Sequence, residues 1–314
     1  APNSADSTMQ NLISIHDLDR AQIQEIFDLA ADLKARQRRG EEHRLLAGKT
    51  LAMIFEKPST RTRVSFETGM AQLGGHPLVL NAGDTQLGRG ETIHDTAKVL
   101  GRYVDGIMAR TFAHQTVTDL AKYGTAPVIN GLTDLLHPCQ GLADYFTMLE
   151  RFGKLDGLTL SYIGDGNNVT HSLLFGAAKL GCHIRVATPA GYEADPEIVR
   201  MAEEDAKASG ATITITNDPA EAADGVQVIY TDTWTSMGQE EEAEARRQAL
   251  AAFQVNEAMV QKAADDVIVL HCLPAHRGEE ITDAVMDGPH SAVWDEAENR
   301  LHVQKAIMVL LMRD

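Results

Sequence analysis

The sequence has few cysteines and no long apolar run. Its only cysteines are Cys139, Cys182 and Cys272, and their odd number and irregular spacing favour free thiols in a reducing compartment over disulfide bonds. No run of about 18 apolar residues is present, so we expect no membrane span. The first residues, Ala1–Met9, are small and polar and lack the apolar core of a signal peptide. We therefore expect a disordered tail there and a cytoplasmic protein.

Positive charge is also scarce. The chain has 28 lysines and arginines against 45 aspartates and glutamates, a formal net charge of −17. A chain this acidic is not expected to bind nucleic acid. An anionic substrate would need a local basic pocket set against the overall field, so a cluster of arginines is informative.

Short apolar runs alternate with segments of helical periodicity along the whole chain, beginning with the strand-like run Leu51–Phe55. This alternation is typical of parallel sheets covered by helices, and 314 residues exceed a typical single domain. We therefore predict an α/β protein of two doubly wound parallel-sheet domains with an active-site cleft between them. The boundary is expected in the helix between Gln140 and Gly153, which gives domains of residues 1–140 and 153–290.

A cluster of hydroxyl and guanidinium side chains follows the first of these strands. The chain passes through Pro58 into Ser59-Thr60-Arg61-Thr62-Arg63, where a helix closed by Gly74-Gly75 begins. A helix N-terminus has unpaired N–H groups and the positive end of a dipole, so it binds anions, and the arginine fork fits phosphate oxygens. The alternative is a helix cap followed by solvated arginines. We favour the anion site because two arginines and three hydroxyls crowd one helix start in an acidic chain.

Polar side chains also follow the later strands, where ligands bind in open α/β sheets. In the first half these are Arg110, His137 and Gln140, which extend the oxyanion and phosphate site. The second half offers an amide, a carboxylate, a hydroxyl and a thiol, a mixture that suits a zwitterion: Asn168, Asp232, Ser236 and Cys272.

Three other motifs do not fit the sites they suggest. Gly48-Lys49-Thr50 lacks the first glycine of a P-loop, because His43 stands there, and it precedes its strand. Gly164-Asp165-Gly166 begins like a dinucleotide fingerprint, but Val169 replaces the third glycine. The run His271–His276 has no second spaced His/Cys pair, so we expect no metal.

Four motifs together resemble the ornithine carbamoyltransferase family. They occur in the same order with matching spacing, and the similarity covers the chain from about Leu12. The first two resemble the wider transcarbamylase family and the last two are the ornithine-type motifs: Ser59-Thr60-Arg61-Thr62-Arg63, His137-Pro138-Cys139-Gln140, Asp232 with Ser236-Met237-Gly238, and His271-Cys272-Leu273-Pro274.

The resemblance implies a carbamoyl-phosphate domain followed by an ornithine domain, with a last helix at about 295–314 that returns to the first domain. It also implies a homotrimer or a multiple of trimers, in which Gln86 reaches in from a neighbouring subunit. By matching position, carbamoyl phosphate is expected to bind at Ser59, Thr60, Arg61, Thr62, Gln86, Arg110, His137, Gln140, Cys272, Leu273 and Arg300. Ornithine is expected to bind at Asn168, Asp232, Ser236 and Met237. The expected catalytic residues are Arg61, Arg110, His137, Asp232 and Cys272.

The implied reaction transfers the carbamoyl group of carbamoyl phosphate to the δ-amine of L-ornithine, giving L-citrulline and phosphate in arginine biosynthesis or catabolism, with no cofactor. One alternative is a transcarbamylase for another amine, such as N-acetylornithine or putrescine. Another is a non-catalytic homologue on the same fold, which the intact Arg61, His137, Asp232 and Cys272 disfavour. The run 275–280 varies in this family and is given no role.

Overall fold

The chain forms two α/β units. The computed structural model describes residues 8–314, so most of the tail expected at Ala1–Met9 lies outside the described residues. The first unit runs up to Leu142 and includes Arg300–Asp314, and the second is Ala143–Asn299. Each unit is built on one parallel sheet. The prediction of two parallel-sheet α/β domains is confirmed.

The first unit has four parallel strands in the order β2-β1-β3-β4. After β1 the chain adds β2 on one side and then β3 and β4 on the other, so the strand order reverses between β1 and β3, and ligands bind at such a switch point in open sheets. The central strand β1 is almost fully buried, whereas β2 is a half-exposed edge strand. The elements, in chain order, are α1 Arg20–Arg38, β1 Thr50–Phe55, α2 Thr60–Gln72, β2 His76–Asn81, α3 Ile93–Tyr103, β3 Gly106–Arg110, α4 His114–Tyr123, β4 Val128–Leu132 and α5 Pro138–Phe152.

The second unit has five parallel strands in the order β7-β6-β5-β8-β9, with its switch point between β5 and β8. The long helices α5 and α12 each contribute residues to both units. The elements are β5 Thr159–Ile163, α6 Asn168–Leu180, β6 His183–Ala187, α7 Pro196–Ser209, β7 Ile213–Thr216, α8 Pro219–Ala223, β8 Val228–Thr231, α9 Ala243–Leu250, α10 Glu257–Val260, β9 Ile268–His271, α11 Asp283–Met286 and α12 Val293–Met312. Within residues 8–314, no helix is long and apolar enough to span a membrane.

The helix that carries the arginine cluster begins with a side-chain cap. Ser59 has extended backbone angles, and its Oγ accepts the Thr62 N–H at 3.2 Å, so α2 starts within the hydroxyl run as the sequence predicts. Near its other end, α2 packs closely on α12. A Cβ on Gly69 would lie 2.9 Å from Met308 Cε and 3.1 Å from Lys305 Cγ, so glycine permits this approach.

Lys305 is fully buried in this helix contact. Its Nζ lies 2.6 Å from His43 Nε2 and 2.7 Å from Gln72 Oε1. His43 Nδ1 faces the Glu41 carbonyl at 2.9 Å, so Nδ1 carries the ring proton and Nε2 accepts from Lys305. Both partners of the ammonium are thus neutral, and burial lowers the pKa of Lys305 to about 8.

The buried lysine makes stability depend on pH. Between about pH 8 and 10.4 the unfolded chain holds a proton on Lys305 that the native state has released, so the free energy of unfolding rises with pH in this window. Relative to Lys305→Met, we expect the free energy of unfolding of the wild type to rise by about 1–3 kcal/mol across it. Urea titrations at several pH values measure this difference.

Lys98→Met is the matched control, because Lys98 is exposed in the same unit. Its difference from the wild type should not change with pH in this window. A Lys305→Met difference that is equally flat would show that the native ammonium keeps its proton.

Candidate active site

The first group of site residues lies at the switch point of the first sheet. Thr62 follows β1 on the first turn of α2, and Arg110 is the last residue of β3. Arg110 Nη1 donates to Thr62 Oγ1 at 3.2 Å, and Arg300 Nη2, from α12, donates to the same oxygen at 3.2 Å. One buried hydroxyl therefore holds two guanidinium groups beside a helix N-terminus.

Arg300 is fixed by further contacts within the first unit. Its Nη1 donates to Gln140 Oε1 at 2.8 Å and its Nε donates to Gln304 Oε1 at 2.8 Å. Gln304 Nε2 in turn donates to Ser65 Oγ at 2.7 Å, which links α12 back to α2. Arg300 and Gln140 are both buried, so these charge-assisted bonds hold the guanidinium in a set orientation.

His137 is a buried neutral imidazole in this group. Burial lowers its pKa well below the ordinary histidine value, and the positive charges of Arg300, Arg110 and Lys57 lower it further. At neutral pH its ring can therefore donate one hydrogen bond without adding charge. Lys57 is a buried cation that the sequence analysis missed; its Nζ donates to Asp134 Oδ1 at 2.7 Å.

Three predicted residues lie at the exposed margin of this unit. Thr60 and Arg61 are exposed on the first turn of α2. Gln86 is exposed and begins a short 3-10 helix, Gln86–Arg89. The glycine-rich stretch after β2 is thus partly helical, since a second 3-10 turn, Ala82–Asp84, precedes Gln86.

Asp232 is the centre of the second group of site residues, at the switch point of the second sheet. It follows β8 and is buried. Asp232 Oδ2 accepts from Asn167 Nδ2 at 2.7 Å, and Oδ1 accepts from Cys272 Sγ at 3.0 Å and from the Thr233 N–H at 2.7 Å. Three hydrogen-bond donors therefore fix the orientation of the Asp232 carboxylate.

Cys272 is a thiol at neutral pH. Burial and the negative charges of Asp232, Glu296 and Asp144 raise its pKa well above the ordinary cysteine value. A thiolate is the reactive form of cysteine, so this environment suits a hydrogen-bond donor and does not suit a nucleophile.

The other predicted ornithine residues surround Asp232 less closely. Asn168 is half-buried and begins α6, and its Oδ1 accepts the Val169 N–H at 2.9 Å. Ser236 is half-buried, and its N–H donates to Gln239 Oε1 at 3.0 Å. Met237 is 49% exposed.

Arg246 ties together both ends of the segment that contains Ser236 and Met237. Its Nη1 donates to the Trp234 carbonyl at 3.0 Å, and its Nε donates to Glu242 Oε2 at 3.1 Å. The same guanidinium lies 3.0 Å from Asp165 Oδ2, after β5. Burial raises the pKa of Asp165 to about 6, although the charge of Arg246 opposes that shift.

The turn after β9 is held by residues to which the sequence analysis gave no role. The Leu273 N–H donates to His271 Nδ1 at 2.8 Å, so the ring proton is on Nε2, which donates to Glu280 Oε1 at 3.0 Å. Leu273 has φ of 63°, an uncommon value for a residue other than glycine. His276 Nδ1 lies 2.7 Å from Thr233 Oγ1, which connects this turn to the one that follows Asp232.

Among the described residues, two groups of three side chains place possible metal-ligand atoms within 4.8 Å of one another: Asp232 with His271 and Cys272, and His276 with Glu279 and Glu280. The first group consists of site residues that already bond to one another or to Glu280.

Asn167 is a site residue that the sequence analysis missed. It precedes the predicted ornithine residue Asn168, and its side chain bonds Asp232. Asn167 is also the N-cap of α6, where its Oδ1 accepts the N–H groups of Val169 and Thr170. An Asn before an apolar helical run is a capping signal, and that signal could have identified it.

Comparisons with known proteins identify the family of this chain. The carbamoyl-P binding domain of aspartate/ornithine carbamoyltransferase matches residues 10–150, and the Asp/Orn binding domain matches residues 156–311. The ornithine carbamoyltransferase of Thermococcus kodakarensis is 56% identical over 303 residues, which cover 96% of each chain. The anabolic ornithine carbamoyltransferase of Pyrococcus furiosus is also 56% identical, over 96% of each chain.

Solved structures agree as well. The ornithine carbamoyltransferase from Pyrococcus furiosus superposes with a TM-score of 0.94 at 56% identity, covering 96% of this chain and 97% of that one. The anabolic enzyme from Campylobacter jejuni gives a TM-score of 0.90 at 41% identity, covering 96% and 99%. The similarity extends through both units, and the chain belongs to the aspartate/ornithine carbamoyltransferase family.

Proposed function

We propose that this protein transfers the carbamoyl group of carbamoyl phosphate to the δ-amine of L-ornithine, giving L-citrulline and phosphate in arginine metabolism. The Asp232 centre is the observation that carries the choice of ornithine: a directed carboxylate beside a neutral thiol suits a substrate that brings an ammonium group. Full-length relatives that are 56% identical bear the ornithine name.

The first unit is proposed to bind carbamoyl phosphate. Negative charge develops on the carbonyl oxygen as the amine attacks and then on the departing phosphate. Arg110 and Arg300, fixed on Thr62, supply positive charge that is already in place, the form of catalysis that is usually largest. Neutral His137 is suited to donate to the carbamoyl oxygen. The remaining contacts are assigned to Ser59, Thr60, Arg61, Gln86, Gln140, Cys272 and Leu273.

The second unit is proposed to bind ornithine through Asn168, Asp232, Ser236 and Met237. A free alkylamine titrates near 10.4, so ornithine arrives with its δ-amine protonated. Loss of water around the amine favours the neutral nucleophile. The segment that contains Ser236 and Met237, which Arg246 bonds at Trp234 and at Glu242, is suited to act as a lid that excludes water from ornithine. No covalent enzyme intermediate is needed, because holding the two substrates together supplies the rate advantage.

Assembly and location belong to the same proposal. The proposed enzyme is a homotrimer or a multiple of trimers, and the exposed position of Gln86 allows a neighbouring subunit to use it. A cytoplasmic location is supported by three free cysteines, all within the described part of the chain.

The direct test is citrulline formation by the purified protein from carbamoyl phosphate and L-ornithine. Saturable turnover that needs both substrates supports the proposal. Tight binding of both substrates without turnover would favour a non-catalytic homologue, and turnover only with putrescine or N-acetylornithine would favour a transcarbamylase for that amine.

Arg61 and Arg63 form a matched pair for testing the anion site, since both are exposed on the first turns of α2. Arg63 pairs with Glu67 on its own helix, at 3.4 Å. We expect Arg61→Ala to cost about 2–5 kcal/mol of transition-state binding, the range for losing one partner of a charge pair that becomes buried when the anion binds. Arg63→Ala should stay within about twofold of the wild type, as exposed ion pairs contribute little. Steady-state kcat/KM for carbamoyl phosphate measures both, and a loss below about tenfold in Arg61→Ala would remove Arg61 from the site.

Substrate preference tests the placement of Asp232. N-acetylornithine lacks the α-ammonium charge and would leave the buried Asp232 carboxylate without a cationic partner, so a loss of about 10⁴ or more is expected. Lysine keeps both charges and adds one methylene, so it should be poorer than ornithine by about 10–200-fold. Aspartate would bring a second carboxylate towards Asp232 and should be unused. The kcat/KM value for each amine measures this order. Equal values for ornithine and N-acetylornithine would show that Asp232 does not face the α-amine.

A further inference from the structure

Two buried carboxyl groups lie behind the Asp232 centre, in the second unit. Asp144 is on α5 and Glu296 is on α12, and both are fully buried. One turn further along each helix, Asn299 Nδ2 donates to Thr147 Oγ1 at 2.9 Å and to Glu150 Oε1 at 2.7 Å. Polar side chains of α5 and α12 thus face each other along a seam.

Glu296 connects this seam to the end of β9. Its Oε1 accepts the backbone N–H of His271 at 2.8 Å. His271 is the last residue of β9 and is followed by Cys272, whose thiol bonds Asp232. Glu296 also makes a side-chain hydrogen bond with Asp144 on α5.

Two fully buried carboxylates in hydrogen-bond contact cannot both remain charged, because the Coulomb repulsion and the cost of burial are both large. Burial and the contact with Asp144 raise the pKa of Glu296 well above the ordinary value. The pair then titrates as a unit that retains one proton over a wide pH range.

We propose that Asp144 and Glu296 share a single proton at neutral pH and act together as positioning residues for the amino-acid site, by fixing the His271 backbone and so the place of the Cys272 thiol beside Asp232. The pair keeps one negative charge, which adds to that of Asp232 and favours the neutral thiol. The titratable groups that face it are Tyr230 from β8, Cys272 after β9, and Asp232 after β8.

Amide substitutions test the proton count. Glu296→Gln and Asp144→Asn each imitate a protonated carboxyl and leave one charge in the pair, whereas the double variant leaves none. The readout is the pH dependence of alkylation of Cys272 by iodoacetamide, followed by peptide mass. Cys139 and Cys182 are fully buried, and burial raises the pKa of each to about 12, so Cys272 is the thiol that reports.

Each single amide variant should give the wild-type alkylation profile. The double variant should shift the profile to lower pH by about one unit, a tenfold faster reaction at fixed pH, because the last charge of the pair is gone. Asp295→Asn, an exposed neighbour on α12, is the control and should change nothing. A shift in Glu296→Gln of about half that in the double variant would show two charges in the wild type, an equal shift would show that Asp144 carries no charge once Glu296 is an amide, and no shift in the double variant would show that the pair does not act on Cys272. Any of these results overturns the proposal.

The positioning role has its own readout, which rests on the proposed function. Glu296→Ala removes the acceptor of the His271 N–H and should raise the KM for ornithine by about tenfold, with the KM for carbamoyl phosphate changed less than about twofold. Glu296→Gln should restore both values. Equal rises in both KM values, or no rescue by Gln, would contradict a positioning role. If Glu296→Ala does not fold, the alkylation profiles decide, and they need no substrate. A wild type that makes no citrulline would therefore overturn the proposed function without touching the proton count.

Discussion

The arrangement of the two arginines in the first unit depends on the Thr62 hydroxyl, which accepts a hydrogen bond from each guanidinium group. Arg110 and Arg300 arrive from β3 and α12, and without an anion the two positive charges repel each other. The shared acceptor, the N-terminus of α2 and the bonds from Arg300 to Gln140 and Gln304 hold them in place. Because the two guanidinium groups are held close together before binding, a ligand with two or more negative charges gains the most binding free energy from this site.

The two units carry opposite charge at equivalent positions, the switch points of their sheets. The first gathers positive charge in a chain of net charge −17 and keeps His137 neutral. The second gathers acidic groups and keeps Cys272 as a thiol. Each arrangement follows from residues at a topological switch point, where several strand ends meet and helix N-termini face the ligand. A phosphate anion fits the first arrangement, and the ammonium group of an amino acid fits the second.

Features formed within one strand and the helix that follows it could be predicted from the sequence. The Ser59 cap and the hydroxyl run at the start of α2 follow from local turn chemistry, and the sheets follow from alternation of elements. Contacts between distant segments could not be predicted in this way. Thr62 and Arg300 are 238 positions apart, and only the family resemblance pointed to Arg300.

Buried polar partners were missed for a related reason. No local pattern in the sequence marks Lys57, Asp144 or Glu296 as buried, and only the fold shows that each of them is. Asn167 and Asn168 are adjacent amides, and only the backbone geometry of the α6 cap decides which one turns towards Asp232. Periodicity identifies faces of helices and strands, whereas the pairing of charges depends on which faces meet.

The most direct test of this account is the affinity of Thr62→Val for carbamoyl phosphate, measured by titration calorimetry without ornithine. Valine has nearly the same shape as threonine but cannot accept from Arg110 or Arg300, so both guanidinium groups lose their shared anchor. We expect the affinity to fall by at least about tenfold, as two charge-assisted hydrogen bonds are lost. Thr68→Val, the same change further along α2, should bind as the wild type does. Unchanged affinity in a folded Thr62→Val protein would contradict the claim that this hydroxyl organises the anion site.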